Sequence, residues 1–318
     1  MRIIKNPDKK SKIQIPPSSR VPIETSENMF NHHVNFIVLG KRGSGKSILI
    51  TNYLRMLKAE NMADRIIVVS PTAGSNKALL DSLGVDDEDI LDPDDVNTTD
   101  DIIAIIDDER DTYEMEIEKL TRWKQFEKLM KSNVPIESID PHLFLEFCDS
   151  NGQPVAPTLK YGHRPCIHVW VDDSQQSALF RSRKFGNFVI RHRHTGPMKF
   201  VEGDKERCGA IGCSLYIAIQ NLKATQGGCP KAIRNNATQM AVVGKTKDEG
   251  ELKDIYSSVA GEIDYDDFVR GYEEATAEPH GAFVMDFHPK KPHMRFRKNL
   301  DTYMDFTETK LNPQPGST

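Results

Sequence analysis

A glycine-rich segment, residues 40–47, constrains the fold of this chain more than any other stretch. It reads Gly-Lys-Arg-Gly-Ser-Gly-Lys-Ser and follows an apolar run, residues 36–39, that predicts a short buried strand. Apolar residues at helical spacing come directly after it and predict a helix. A loop between a strand and a helix can turn its backbone N–H groups inward, and the helix N-terminus adds a positive dipole. The segment therefore predicts a phosphate-binding loop.

Every residue of this loop is a candidate contact to a bound nucleotide. The candidates are Gly40, Lys41, Arg42, Gly43, Ser44, Gly45, Lys46 and Ser47. The Lys46 ammonium is predicted to reach the β and γ phosphates, and the Ser47 hydroxyl to ligate Mg²⁺. The structural alternative is a glycine-rich turn with a chance lysine, and the flanking strand and helix argue against it. We therefore predict a nucleotide-binding site.

The length of 318 residues allows one large domain or two small ones. Residues 1–30 show little periodicity and contain two adjacent prolines, which predicts an extended arm. Residues 31–300 hold the predicted strands and helices of one domain, and residues 301–318 form a polar tail. Within that domain, residues 72–163 separate two predicted sheet strands. We interpret them as a largely helical insertion.

Composition excludes several classes of protein. The net charge of −5 means that any contact with nucleic acid must come from a local basic patch. No apolar run approaches the ~18–20 residues of a membrane-spanning helix, so no membrane span is expected. The basic N-terminus lacks the apolar region of a signal peptide. Five cysteines, an odd number at irregular spacing, indicate reduced thiols in an intracellular setting.

Two adjacent acids, Asp172 and Asp173, follow a second apolar run at residues 166–171. In a chain with a phosphate loop this pattern predicts a Walker B site. Asp172 would hold Mg²⁺, usually through water, and Asp173 would orient or deprotonate the attacking water. The structural alternative is a helix N-cap, which both acids also suit. We favour catalysis, because a buried strand rarely ends in two acids without a cation nearby.

Two further features of the core bear on function. Residues 181–199 contain six Arg or Lys residues, two His residues and no acid. This basic segment can contact phosphates of nucleic acid, reach the nucleotide of a neighbouring subunit, or form a solvated face. The predicted strand at residues 214–219 ends in Gln220, which can hydrogen-bond the γ phosphate or the attacking water as a sensor. A plain strand cap is the structural alternative for Gln220.

Five motifs, taken in chain order, resemble the genome-packaging ATPases of large eukaryotic DNA viruses and virophages, within the FtsK/HerA lineage of DNA pumps. The resemblance covers about residues 34–288. It implies an α/β fold with a RecA-like P-loop NTPase core, a mainly parallel central sheet and a helical insertion. The motifs are the phosphate loop, Asp172 with Asp173, the Arg-His-Arg-His run at residues 191–194, Gln220, and residues 230–236.

The resemblance also implies cofactors, partners and roles. ATP and Mg²⁺ are the implied cofactors, and double-stranded DNA, a homo-oligomeric ring and viral capsid proteins are the implied partners. The implied location is the host cell cytoplasm or a viral factory, or the virion. The implied ligands of the phosphates and Mg²⁺ are Lys46, Ser47 and Asp172, and the implied catalytic residues are Asp173, Gln220, Arg193 and Arg234.

Among these residues, Arg193 matches the position of a trans-acting arginine finger, and Arg234 is the second candidate. DNA pumps outside the viral branch often have Glu where Asp173 stands, and Asp is one methylene shorter. Either the water must then sit closer, or Gln175 or Gln176 must help to place it.

Two other classes of protein remain open at this stage. A small-molecule kinase shares the phosphate loop but seldom needs adjacent acids with a distant glutamine sensor. A P-loop assembly switch binds nucleotide without coupling hydrolysis to DNA. A two-domain helicase is disfavoured, because the sequence contains one set of nucleotide motifs.

Overall fold

The structure is a computed structural model that describes residues 23–132, 135, 139–202, 205–223, 227–246 and 248–306. Residues 1–22 of the predicted arm and residues 307–318 of the predicted tail lie outside the described residues. The division into arm, domain, insertion and tail stays a prediction. Within the described ranges, every helix is too short or too polar to cross a bilayer.

The strands of the described chain are numbered in sequence order. They are β1 (Asn35–Leu39), β2 (Arg65–Val69), β3 (Ile90–Leu91), β4 (Ile167–Val171), β5 (Pro197–Glu202), β6 (Lys205–Ala210), β7 (Ser214–Ile219), β8 (Gln239–Val243), β9 (Ala282–Asp286), β10 (Phe296–Lys298) and β11 (Thr302–Tyr303). Nine of these described strands form one sheet in the order β11-β10-β9-β8-β1-β7-β4-β2-β3. The strands from β8 to β3 are parallel, and β9 to β11 add an antiparallel margin. The predicted α/β fold with a mainly parallel sheet is confirmed.

The helices cover both faces of this sheet. They are α1 (Lys46–Ala59), α2 (Lys77–Leu83), α3 (Thr98–Lys131), α4 (Pro141–Phe147), α5 (Ala178–Arg181), α6 (Arg183–Arg191), α7 (Lys231–Asn235), α8 (Glu249–Tyr256) and α9 (Tyr265–Ala275). The far end of α3 forms a small cluster of its own with α4, in which Trp123 packs edge-on against Phe147 at a centroid distance of 5.5 Å.

The alternation of side-chain direction along the central strands explains why the sheet has a hydrophobic cluster on each face. Successive side chains of a strand point to opposite faces of the sheet. On β1, Phe36 and Val38 therefore belong to the hydrophobic cluster on one face. Its other residues, Ile37 and Leu39, belong to the second cluster. Helix α1 packs in the first cluster, and α6 and α9 pack in the second. Because both faces are covered, the central strands are continuous apolar runs, as is typical of parallel sheets.

Three features of the sheets were not predicted from the sequence. Strand β9 is antiparallel to β8. The stretch before β7 folds into the β5–β6 hairpin, in which charged residues interrupt the apolar ones, so that no apolar run is longer than two residues. Within the predicted insertion, β3 pairs with β2 at the edge of the sheet. Two residues are too few to carry a period, so the sequence could not reveal this strand.

The parallel strands give the sheet two functionally distinct edges. We call the edge where these strands end the carboxyl edge, and the edge where they begin the amino edge. Ligands in open α/β sheets bind outside the carboxyl ends of the strands. The residues that end strands at the carboxyl edge are Leu39, Val69, Val171, Ile219 and Val243.

Candidate functional site

The glycine-rich loop joins β1 to α1 at the carboxyl edge and folds tightly on itself. The Gly40 N–H donates to the Ile219 carbonyl at 3.1 Å. A Cβ atom on Gly40 would lie 2.5 Å from Ser44 Oγ and 2.7 Å from the Val243 carbonyl, so only glycine fits there. Gly45 caps α1 in the left-handed region, at φ 106°. The sequence thus forms a turned loop that opens onto a helix N-terminus.

The polar groups of the loop are arranged for an anion. Lys46 is 7% exposed, and its ammonium donates to the Gly40 and Lys41 carbonyls at 2.9 and 3.1 Å. Burial lowers the pKa of Lys46, while the Asp172 carboxylate opposes that shift. Ser44 Oγ is buried without a hydrogen-bond partner in the described part of the chain. An added anion would stabilise this cation and give the hydroxyl an acceptor.

The predicted Walker B strand brings its first acid to the loop. Asp172 is 4% exposed at the end of β4, and its Oδ2 accepts a 2.8 Å hydrogen bond from Ser47 Oγ. Burial raises the pKa of Asp172, and the bond from Ser47 opposes that shift. A hydroxyl and a carboxylate oxygen side by side are the hard oxygen ligands that Mg²⁺ prefers.

The second acid adopts an unusual backbone conformation. Asp173 has φ 50°, a left-handed value that non-glycine residues rarely adopt and that is concentrated at functional sites. Its carboxylate is exposed, and Oδ1 accepts a 3.3 Å hydrogen bond from Gln220 Nε2. The predicted catalytic acid and the predicted sensor are therefore neighbours at the tips of β4 and β7.

Gln175 links those two strand tips through the backbone. Its Oε1 accepts from the Gln220 N–H at 2.7 Å and from the Asn221 N–H at 3.2 Å. Its Nε2 donates to the Asn221 carbonyl at 2.6 Å. The sequence suggested Gln175 as an aid in placing water, whereas here its amide holds the main chain after β7. We call these three bonds the Gln175 clamp.

His280 contacts the phosphate loop, and this contact was not predicted from the sequence. It lies in the turn before β9, and its Nδ1 is 2.9 Å from the Ser44 carbonyl. A Cβ atom on Gly45 would lie 3.1 Å from the His280 ring. The two contacting residues, His280 and Ser44, are 236 positions apart. No local sequence signal could have paired them.

The two candidate finger arginines lie at the other end of the sheet. Arg193 is exposed in a short turn, where the neighbouring His192 carbonyl accepts from Cys213 just before β7 begins. Arg234 lies in α7, next to Ile233, whose carbonyl accepts from Asn35 at the start of β1. Strand β1 has five residues, and a strand of that length spans about 17 Å. Within one protomer, neither arginine joins the Lys46 site.

The basic segment runs from the carboxyl edge to the amino edge along α5 and α6. Arg181 and Arg183 are exposed near the loop that follows β4. Lys184 forms an ion pair with Asp100 of an acidic stretch, residues 86–101, which contains nine carboxylates and no basic residue. The same stretch contacts α5 through a 2.9 Å bond from the Ala178 N–H to Asp94 Oδ1. The acidic stretch thus pairs with one cation of the basic segment, Lys184.

Comparison with known proteins gives structural neighbours only. No protein-family model and no curated protein matches the sequence. One neighbour is the genome packaging NTPase B204 from Sulfolobus turreted icosahedral virus 2 in complex with ATP-gammaS, at 12% identity and a TM-score of 0.41, covering 83% of this chain and 95% of that chain. The AMP complex of the same protein gives 13% identity, a TM-score of 0.40, and 82% and 98% coverage.

A second neighbour is the pCW3 conjugation coupling protein TcpA, in its monomer form with ATPgS. It has 14% identity and a TM-score of 0.34, covering 75% of this chain and 61% of that chain. A viral genome packaging NTPase, the kind of protein that the motifs resemble, is thus among the neighbours. Such scores do not transfer function, so the residues of the site must carry that inference.

Proposed function

We propose that this chain is an ATPase whose active site is built from the phosphate loop and the two acids after β4. The observation that carries the proposal is the hydrogen bond between Ser47 Oγ and Asp172 Oδ2. It brings a predicted metal-binding hydroxyl and a predicted metal-binding carboxylate together at the N-terminus of α1. A chance glycine-rich turn would not require such a partner.

The residues of the site fit both ATP and Mg²⁺. The inward-facing loop, the unpaired Ser44 hydroxyl and the buried Lys46 ammonium suit the phosphates. Ser47 and Asp172 would hold the metal, Asp172 directly or through water. Mg²⁺, when bound, neutralises charge on the β and γ phosphates. Lys46 would exchange its two loop carbonyls for phosphate oxygens and so keep its hydrogen bonds.

Hydrolysis then depends on positioning a water molecule. Asp173 is exposed next to the phosphate loop and has its Oδ1 in contact with the Gln220 amide. We assign Asp173 to orienting or deprotonating the water, and Gln220 to sensing the γ phosphate. The Gln175 clamp supports both, since it fixes the backbone at the tip of β7 relative to the loop that carries Asp173.

The missing cation for catalysis would come from a neighbouring subunit. Arg193 and Arg234 lie at the amino edge, so an arginine finger from either one requires a second copy of the chain. A head-to-tail contact of amino edge to carboxyl edge repeats from copy to copy, and it closes into a ring when the rotation allows. We therefore propose a homo-oligomeric ring with Arg193 as the first candidate and Arg234 as the second.

The proposed work of this ring is translocation of double-stranded DNA into a viral capsid. Arg181 and Arg183, exposed in the segment that follows the predicted Walker B strand, are the candidate contacts to the DNA backbone. Contacts to phosphates do not depend on the base sequence, which is what a motor that moves along DNA requires. Capsid proteins are the proposed partners, and the host cell cytoplasm or a viral factory is the proposed location.

One titration tests this function. The full chain is mixed with ATP, Mg²⁺ and increasing double-stranded DNA, and phosphate release is measured with size analysis at each point. We expect slow turnover by monomers and stimulation by DNA that appears together with the oligomer. Binding of DNA should weaken steeply with salt, because phosphate contacts release counterions. Monomers as fast as the DNA-bound oligomer would contradict the ring.

The same assay separates the alternatives. A small-molecule kinase would transfer phosphate to a metabolite acceptor, and DNA would leave its rate unchanged. An assembly switch would bind ATP and change oligomeric state without DNA-stimulated turnover. The Lys46→Ala variant serves as the control in each arm, since it removes the ammonium on which both binding and hydrolysis depend.

A further inference from the structure

Three different metal-ligating side chains meet at the amino edge, far from the nucleotide site. They are Asp64, His163 and Cys166, and one ligand atom from each lies within 4.8 Å of the other two. Asp64 directly precedes β2 and Cys166 directly precedes β4, which are neighbouring strands. His163 belongs to the segment that leads into β4. None of the three has a role in nucleotide binding or hydrolysis.

The histidine ring is oriented as a ligand would be. His163 Nδ1 is 2.9 Å from the Arg164 carbonyl, so this nitrogen carries the proton and Nε2 presents its lone pair. Nε2 is buried and lacks a hydrogen-bond partner in the described ranges. Its 3.6 Å contact with Asp64 Oδ1 is too long for a hydrogen bond. Metal-binding histidines commonly donate their other ring N–H to a backbone carbonyl in this way.

The carboxylate is likewise held by the backbone. Asp64 Oδ2 accepts a 2.7 Å hydrogen bond from the Cys166 N–H. In return, the Asp64 N–H donates to the Cys166 carbonyl at 3.0 Å. These two bonds fix the starts of β2 and β4 side by side. Asp64 Oδ1, which faces His163, makes no hydrogen bond of its own in the described chain and keeps its lone pairs for a cation.

We propose that Asp64, His163 and Cys166 bind a zinc ion. A thiolate, an imidazole and a carboxylate are the ligand types of zinc, at about 2.3 Å for sulfur and about 2.0–2.2 Å for nitrogen and oxygen. Tetrahedral ligands at those distances lie about 3–4 Å apart, so small side-chain rotations would close the site. The calcium and magnesium ions, which take oxygen ligands, do not suit a buried cysteine.

The fourth position of this zinc ion would be open to water. A cavity of about 530 Å³ is lined by His163 and Cys166, together with Met62 and Tyr113. Three protein ligands and one exchangeable position next to a cavity are typical of a reactive or regulatory zinc rather than a closed structural one. The ion would tie the segment before β4 to the start of β2. This proposal stands independently of the ATPase, whose residues lie at the carboxyl edge.

Cobalt substitution tests the site in the full chain. Protein stripped of metal is titrated with Co²⁺, which reports thiolate ligation by a charge-transfer band in the near ultraviolet and tetrahedral geometry by visible bands. We expect uptake of one equivalent, competed by Zn²⁺. The His163→Gln and Asp64→Asn variants should each bind at least ~10-fold more weakly, and Cys166→Ser should lose the charge-transfer band.

Matched controls keep the outcome clear. Cys208→Ser, which removes an exposed thiol, should leave the titration unchanged. A cooperative thermal melt of each variant, followed by circular dichroism, shows that the chain is still folded, and His163→Gln tests the site if Cys166→Ser fails to fold. The proposal is overturned if the folded wild-type chain takes up no stoichiometric Co²⁺. It is also overturned if the charge-transfer band survives in Cys166→Ser and disappears in Cys208→Ser.

Discussion

Ser47 Oγ donates a 2.8 Å hydrogen bond to Asp172 Oδ2, joining the phosphate loop to the end of β4 across 125 residues of chain. The strands that precede these two residues in the chain, β1 and β4, are not neighbours, since β7 lies between them. The bond therefore depends on the whole parallel sheet being assembled in register. It also means that the two groups proposed to hold the metal are already adjacent before any ligand arrives.

The Asp173→Asn substitution separates hydrolysis from binding. Asparagine keeps the size of the side chain and its contact with Gln220 but cannot accept a proton. We expect ATP turnover to fall at least ~10²-fold, while ATP binding, measured by calorimetry, stays within a few fold. Asp87→Asn changes an exposed acid away from the loop and should be neutral. A loss of binding equal to the loss of turnover would assign Asp173 to nucleotide contact instead.

The Gln175→Ala substitution should uncouple the tips of β4 and β7. It removes all three hydrogen bonds of the Gln175 clamp, each worth about 0.5–1.5 kcal/mol. Because the clamped backbone includes Gln220, we expect turnover to drop while Lys46 still binds ATP. Gln125→Ala, which removes an exposed glutamine of α3, serves as the control. Equal effects from the two variants would show that the clamp has no part in catalysis.

The Gly40→Ala substitution probes the close packing of the phosphate loop. The new methyl group would meet the Val243 carbonyl at 2.7 Å, and backbone moves less readily than a side chain. We expect the free energy of unfolding to fall by about 1–3 kcal/mol and ATP binding to weaken, by thermal melts with and without ATP. Gly74→Ala meets nothing within 4 Å and serves as the control. An unchanged melt for Gly40→Ala would mean that the loop is looser than described.

A mixing experiment tests whether Arg193 acts on a neighbour. Arg193→Ala and Lys46→Ala should each be inactive alone. Combined at equal amounts, they should regain part of the activity, because about one interface in four then pairs an intact loop with an intact arginine. Arg191→Ala is the control for loss of exposed positive charge. If the mixture stays inactive while Arg191→Ala is active, Arg193 does not act on a neighbouring subunit. The mixing experiment is then repeated with Arg234→Ala in place of Arg193→Ala.

The buried His168 predicts a loss of stability at mildly acidic pH. Its Nε2 is 2.7 Å from the Met62 carbonyl, its Nδ1 is 2.9 Å from the Tyr216 hydroxyl, and burial lowers its pKa to about 4. The unfolded chain protonates His168 near pH 6.5, so the stabilisation present above that pH is lost as pH falls towards 4. Between pH 7 and 5 this amounts to about 2 kcal/mol.

Denaturant unfolding at several pH values measures this effect. The His168→Gln variant should show a correspondingly smaller change between pH 7 and 5, whereas replacing the exposed His142 by Gln should leave the wild-type slope intact. A wild-type slope in His168→Gln would show that other groups account for the pH dependence.

The parts of the site that lie in short motifs could be predicted from the sequence. A loop of fixed spacing next to an apolar run predicts its own strand and helix, and Asp172 follows from the strand that it ends. His280 and the Gln175 clamp could not be predicted in the same way, because each depends on where distant segments meet in the sheet. The β5–β6 hairpin was not predicted for a different reason, since charged residues interrupt its apolar residues and leave no run long enough to indicate a strand.

The central position of β1 has a consequence for biosynthesis. This strand pairs only with β7 and β8 in the described chain, and both are encoded much later. While residues 48–213 are being synthesised, the phosphate loop therefore has no strand on either side of β1, and contacts this distant in sequence are slow to form. Chains released early would expose the apolar β1 residues. The proposed nucleotide site therefore gains both strands that flank β1 only after residue 243 has been synthesised.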